Sequence, residues 1–260
     1  MMLLARPNDG DGIPDERDVG SLMRVYGSSA EPWVFGWDFP SHGGAIVALR
    51  WHPDGPNSVL VNGSSPEYIA NVIALLESSK IRAELLVAGS ALGNVQVLVD
   101  AGWVCIGGRP FMRRRSHSQH RRRSVINTVR ELASVDDLMM ARRVVADAFG
   151  CAPDLPATPT DHLRVWGIYL DGDIVSCATT VEIDDTAVVW DVVTRPEYQR
   201  RGYGSAILDA IHERFAAITT LRQLILLSSA EGYRLYESHG YQVLDWWQAW
   251  SRPRWVLGAR

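Results

Sequence analysis

The run Gln199-Arg200-Arg201-Gly202-Tyr203-Gly204-Ser205 has the residue types and spacing to do chemistry on a charged ligand. Its glycines let backbone amides approach an anion closely, and a helix opening there adds free N–H groups and a positive pole, a combination that suits a pyrophosphate. Arg200 and Arg201 supply charge that can grip phosphate oxygens. The dinucleotide fingerprint G-x-G-x-x-G is not matched, and no acidic residue follows at the distance that fingerprint requires. Cys105, Cys151 and Cys177 are widely spaced, with no paired spacing and no nearby histidine at ligand distance, so neither a disulfide framework nor a metal site is expected.

The elements that must position this loop follow from patterning. Thr186–Thr194 (TAVVWDVVT) reads as a strand leading into the turn RPEYQRRGYG, and SAILDAIHERFAAI as the amphipathic helix leaving it. RQLILLSS, EGYRLYESHGY and QVLDWWQAW continue as strand, helix and strand. Upstream, SVDDLMMARRVVADAFG is a helix capped by Ser134, and Asp171-Gly172 joins two strands in a hairpin. In the first half, alternation over residues 33 to 63 predicts strands around the turn HPDGPN. SSPEYIANVIALLESS predicts a helix with Ser65 as N-cap and Ile69, Val72, Ile73 and Leu76 on one face. A second helix over residues 91 to 103 and the strand VCIGG follow. The arginine-rich segment Arg113 to Ser124 is the clearest composition shift and reads as a solvated linker, dividing the chain into domains 1–112 and 125–260.

The loop in its strand-turn-helix setting, with the second motif Gly232-Tyr233-Arg234-Leu235-Tyr236-Glu237-Ser238-His239-Gly240-Tyr241, resembles the GNAT superfamily of acyl-CoA-dependent N-acetyltransferases over residues 125 to 252. The resemblance implies an α/β fold with a mixed sheet and acetyl-CoA as co-substrate. It implies that the amides of Arg201, Gly202, Tyr203 and Gly204, with Gln199, Arg200 and Ser205, hold the pyrophosphate. Val192, Val193 and Thr194 would lie on the strand that splays from its neighbour and receives the pantetheine arm. Ser229 stands where many members carry an asparagine that contacts that arm. Tyr236 aligns with the tyrosine that protonates the leaving thiolate, a task suited to a phenol of ordinary pKa about 10. Val188 and Leu224 occupy positions where members carry a catalytic glutamate, so the base lies elsewhere; Asp191, Glu182 and His239 are the candidates, with Asp191 leading.

The first half is reminiscent of the second half of a GNAT domain without its loop, so a tandem with a degenerate first copy is expected, against an unrelated α/β cap. It would wall the acceptor site or form a homodimer interface. The implied activity is direct acetyl transfer to a primary amine through a ternary complex, with a small molecule favoured over a protein acceptor; an acyl-CoA-binding scaffold without turnover is the alternative. The 260 residues carry a formal charge of -4, against a nucleic-acid partner. No apolar run is long enough to span a membrane and no leader pattern opens the chain, so a cytoplasmic location is expected. Five of ten tryptophans, Trp166, Trp190, Trp246, Trp247 and Trp250, fall on strands of the second half and are core candidates before they are pocket walls.

Overall fold

The computed structural model of the chain describes residues 34–38, 46–50, 57–61, 65–78, 83–116, 129–149 and 163–254. Strands β1 (Val34–Asp38), β2 (Ile46–Arg50) and β3 (Asn57–Val61) precede helix α1 (Pro66–Ser78) and strand β4 (Ala83–Val87). A 3-10 turn (Gly89–Asn94) and helix α2 (Gln96–Asp100) then lead into the long strand β5 (Val104–Arg115). The second half holds β6 (Val129–Leu132), α3 (Val135–Phe149), β7 (Leu163–Leu170), β8 (Asp173–Ile183) and β9 (Thr186–Thr194). It ends with α4 (Tyr203–Ala216), β10 (Gln223–Leu227), α5 (Tyr233–Ser238) and β11 (Gln242–Ser251). Residues 52–56 of the turn HPDGPN and residues 117–124 of the arginine-rich segment lie outside the described residues.

Local chemistry explains the helix starts. The Ser65 hydroxyl accepts from the Tyr68 amide at 3.1 Å, and Ser134 does the same for Asp137 at 3.1 Å, each satisfying a donor that the first turn leaves without a partner. Ile69, Val72, Ile73 and Leu76 are buried as their spacing predicts. The Asp171-Gly172 hairpin has positive φ at both residues, the conformation a two-residue turn between twisted strands demands. The helix expected over residues 91 to 103 is a 3-10 turn followed by five helical residues, since Gly93 and the β-branched run Val95, Val97 and Val99 weaken α-helix there.

All strands join one sheet in the order β1-β2-β3-β4-β11-β5-β10-β9-β8-β7-β6. The order is nearly symmetric about its centre. β3 pairs with β4 in parallel as β9 does with β10; β4 pairs antiparallel with β11 as β10 does with β5; β1, β2 and β3 pair antiparallel in series as β7, β8 and β9 do. Each half therefore sends its last long strand into the other half's side of the sheet. β5 and β11 run antiparallel from Gln242↔Arg113 to Ser251↔Val104.

This topology corrects two sequence expectations. The linker does not begin at Arg113: Arg113, Arg114 and Arg115 end β5 between β10 and β11, and Arg114 is buried. Polarity alone marked that segment as solvated, but a central strand can carry a cation whose partners come from elsewhere in the fold. Trp250 belongs by sequence to the second half, yet it packs in the first half's core with Tyr68, Leu85 and Trp103, because β11 crosses over.

The middle of the sheet carries a core built from both halves: Leu60, Leu86 and Phe111 from the first, Val188, Ile225, Leu244 and Trp247 from the second. Trp247 is fully buried, packs its ring 6.1 Å from that of Phe111, and has no hydrogen-bond partner for its indole N–H among the described residues. Trp247→Ala is expected to cost about 3–5 kcal/mol in chemical denaturation. Trp247→Phe should cost clearly less, since it also removes an unsatisfied donor. Both variants should still unfold in one transition, because the core they loosen belongs to both halves.

Candidate active site

The loop after β9 is built by its own stereochemistry. Pro196 starts a 3-10 turn (Pro196–Tyr198), Tyr198 N–H donates to the Arg195 carbonyl at 2.9 Å, and the Gln199 side chain donates to the Thr194 carbonyl at 3.1 Å, tying the loop to the end of the strand. The chain then reverses through Arg200 at φ 62° and Gly202 at φ 87° before α4 begins. Gly202 is the N-cap residue of α4 in the left-handed region, where a side chain is strained. A Cβ at Gly204 would come to 3.2 Å from the end of the Leu235 side chain of α5, a close fit. Among the described residues no backbone carbonyl or side chain accepts from the amides of residues 200 to 205. A row of unspent amides at a helix N-terminus, flanked by exposed Arg200 and Arg201, is an arrangement with the donors and charge that suit an anion. The Arg201 guanidinium lies 5.5 Å over the Tyr198 ring, which meets Tyr203 edge-on at 6.3 Å.

Beside this loop the sheet opens. The ladder of β9 with β10 runs over Thr186, Ala187 and Val188 and ends at Val188↔Ile225, while β10 continues to Leu227 against β5. Val192, Val193 and Thr194 thus border a wedge in the sheet. The counterpart pair β3 and β4 stays together from Asn57↔Ala83 to Val61↔Val87, and the Ala88 amide adds a further bond to the Val61 carbonyl at 2.9 Å. Among the described residues of the first half no such opening is seen.

At the wedge β9 carries a bulge: the register with β8 shifts between Cys177 and Thr179, and Asp191 has φ 49°. A non-glycine residue in that region is held by its surroundings at a cost of about 1–3 kcal/mol, and such strain clusters at functional sites. The Asp191 charge bears on both the Tyr236 phenol of α5 and the Cys177 thiol of β8, adding to burial in pushing both groups above their ordinary values. Tyr236 is buried, and among the described residues its hydroxyl has no hydrogen-bond partner. It is therefore a protonated donor at neutral pH, available to a ligand.

The other candidates are engaged elsewhere. Glu182 accepts from Arg164 Nε at 2.7 Å. His239 is buried at the C-terminus of α5, with Nδ1 2.9 Å from the Leu235 carbonyl and Nε2 3.5 Å from Asp209. Val188 and Leu224 are buried core residues. The Ser229 hydroxyl accepts from the Gly232 amide at 3.1 Å, so its evident work is to start α5. Sequence reading passed over Ser176 and Thr179. The Ser176 hydroxyl lies 2.7 Å from the Val193 carbonyl and 2.8 Å from Thr194 Oγ1, bracing the strand at the wedge. Thr179 stands opposite Trp190 with its buried hydroxyl unpaired among the described residues. Their signal was present as isolated hydroxyls in the apolar strand DIVSCATTV.

Gly202→Ala is expected to lower stability by about 1 kcal/mol in urea titrations while leaving the sheet intact, because a Cβ is introduced where φ is positive.

Residues 161–243, which include the bulged strand, the loop and both helices around it, match the family model described as an acetyltransferase (GNAT) domain. A GCN5-related N-acetyltransferase from Kribbella flavida is 15% identical with a TM-score of 0.67, the match covering 91% of this chain and 95% of that one. Another from Sphaerobacter thermophilus is 13% identical with a TM-score of 0.60, covering 79% and 75% of the two chains. A tandem GNAT protein from the clavulanic acid biosynthesis pathway is 11% identical with a TM-score of 0.54, covering 91% and 94%. Comparison with curated proteins gives no match. The neighbours establish the shared mixed α/β fold, and the matched segment contains the wedge and the loop. Residues 161–243, within the second half of the chain, are thus similar to an acetyltransferase (GNAT) domain, the domain of a family of acyltransferases.

Proposed function

We propose that the protein transfers the acetyl group of acetyl-CoA to a primary amine in a ternary complex of enzyme, acetyl-CoA and acceptor. The observation that carries this is the wedge between β9 and β10, with the free amides of residues 200 to 205 at one end and Asp191 and Tyr236 acting on one another at the other. The pyrophosphate sits on the amides of Arg201 to Gly204, with Gln199, Arg200 and Ser205 around it. The pantetheine arm lies along Val192, Val193 and Thr194 as an added strand. A backbone N–H at the bulge meets the thioester carbonyl as charge develops on its oxygen.

The acceptor amine is mostly ammonium at neutral pH and must lose a proton before attack. Asp191 takes that proton, directly or through one water. The nitrogen lone pair forms the C–N bond, the carbonyl collapses, and the C–S bond breaks with its electrons on sulfur. Tyr236 gives its proton to that sulfur and recovers one from solvent, so CoA leaves as the thiol. Acceptor and acyl donor meet at the bulge, where Trp190 and Thr179 offer an aromatic wall and an unspent hydroxyl; this favours a small amine with an apolar body. The first half, reminiscent of a GNAT half but closed between β3 and β4, is a copy that binds no acyl-CoA.

Tyr236→Phe should lower kcat about a hundredfold or more with little change in KM for acetyl-CoA, as followed by thiol release with an amine panel. Full turnover in that variant would remove Tyr236 from the reaction. Asp191→Asn should lower kcat/KM for the amine about a hundredfold. In the unmodified protein kcat/KM should rise with pH as amine and base lose their protons. It should show no descending limb below pH about 10, because burial and the Asp191 charge both raise the Tyr236 phenol and keep its proton in place.

A further inference from the structure

We infer that Arg114, carried into the second half by β5, is a positioning residue that sets the place of Tyr236. The inference rests on Tyr236 as the proton donor. Tyr236 sits on a six-residue helix too short to hold itself, so its position is decided by how α5 is closed. The closure is a Schellman motif: the Tyr241 amide donates to the Tyr236 carbonyl at 3.1 Å, the Gly240 amide to the Glu237 carbonyl at 3.0 Å, and Gly240 takes φ 82°. The side-chain contact that accompanies this motif is here the edge-on packing of the Tyr241 ring on Tyr236, with centroids 5.8 Å apart.

Arg114 completes that closure from outside. Its Nε donates to the His239 carbonyl at 3.0 Å in a buried setting, taking up an acceptor that the helix end leaves open and placing a cation at the negative pole of α5. The same guanidinium acts electrostatically on the Tyr241 phenol, whose oxygen lies 3.2 Å from His212 Nε2 on α4. His239 in turn faces Asp209 on α4. The helix bearing Tyr236 is thus held to α4 through His239 and Tyr241, which follow it, and to the sheet by a residue from the other half of the chain. Arg114 reaches this place because the halves exchange their last strands, which pairs Arg114 with Leu224 of β10.

A double-mutant cycle on the full-length protein tests this, with kcat for acetyl-CoA and amine as the readout. Arg114→Met should lower kcat about ten- to hundredfold while KM for acetyl-CoA stays within about twofold, because the loop that holds the cofactor is untouched. Combined with Tyr236→Phe, it should add less than about a twofold further loss, since it acts through the hydroxyl already removed. Equal fold-losses in both backgrounds, or unchanged kcat in Arg114→Met, would overturn the inference. Should Arg114→Met fail to yield folded protein, Arg114→Lys keeps the charge but shifts the donor, and the same cycle with an expected loss of about threefold decides the matter. If instead Tyr236→Phe by itself retains full turnover, the assignment of the proton donor fails, a result distinct from additivity in the cycle.

Discussion

The antiparallel pairing of β5 with β11 is the interaction on which the rest of the molecule depends. A strand at the edge of a half-sheet leaves a row of unpaired amides and carbonyls, and each half of this chain resolves that by taking the other's final strand. The exchange makes one sheet of two, puts Trp247 and Phe111 in a core that neither half owns, and carries Trp250 one way and Arg114 the other. A half removed from its partner would lose the strand that fills its own sheet. The two halves are therefore one folding unit in energetic terms, although their topologies repeat.

Against that shared frame the halves differ at one decisive place. β3 and β4 stay hydrogen-bonded to their ends, whereas β9 parts from β10 after Val188 and bulges at Asp191. Unzipping a parallel pair exposes backbone groups that need partners, and in the second half the same strand runs directly into a loop of unspent amides. The end of that ladder and the amides at the helix N-terminus, with a carboxylate and a buried phenol nearby, are the features on which the proposed binding of acyl-CoA rests. The first half keeps its own bonds and offers no such place.

Local signals were legible wherever one residue type enforces one geometry. Ser65 and Ser134 cap the helices they were read to cap, Asp171-Gly172 turns the hairpin, and Gly202 takes the left-handed conformation. The loop's shape could be read from its glycines because Gly202 takes positive φ where the helix begins. The segment from Arg113 was misread because three consecutive arginines resemble a solvated linker until a strand partner, a helix carbonyl and a buried phenol are known to surround the middle one. Glu182 and His239 looked eligible as bases by type, but Glu182 is ion-paired with Arg164 and His239 lies buried between the Leu235 carbonyl and Asp209. Ser176 and Thr179 were passed over because a hydroxyl in an apolar strand has no meaning until its cross-strand neighbours are known.

The sequence by itself determined the helix caps, the hairpin and the glycine turn that opens α4, because each depends on stereochemistry within a few residues. Only the tertiary structure decided where β9 leaves β10, that Asp191 and Tyr236 act on one another, and that the first half supplies Arg114 beneath the helix bearing Tyr236. Those facts depend on strands and side chains far apart in the chain, and pairing at such distances is chosen by the burial and hydrogen bonding of the whole sheet.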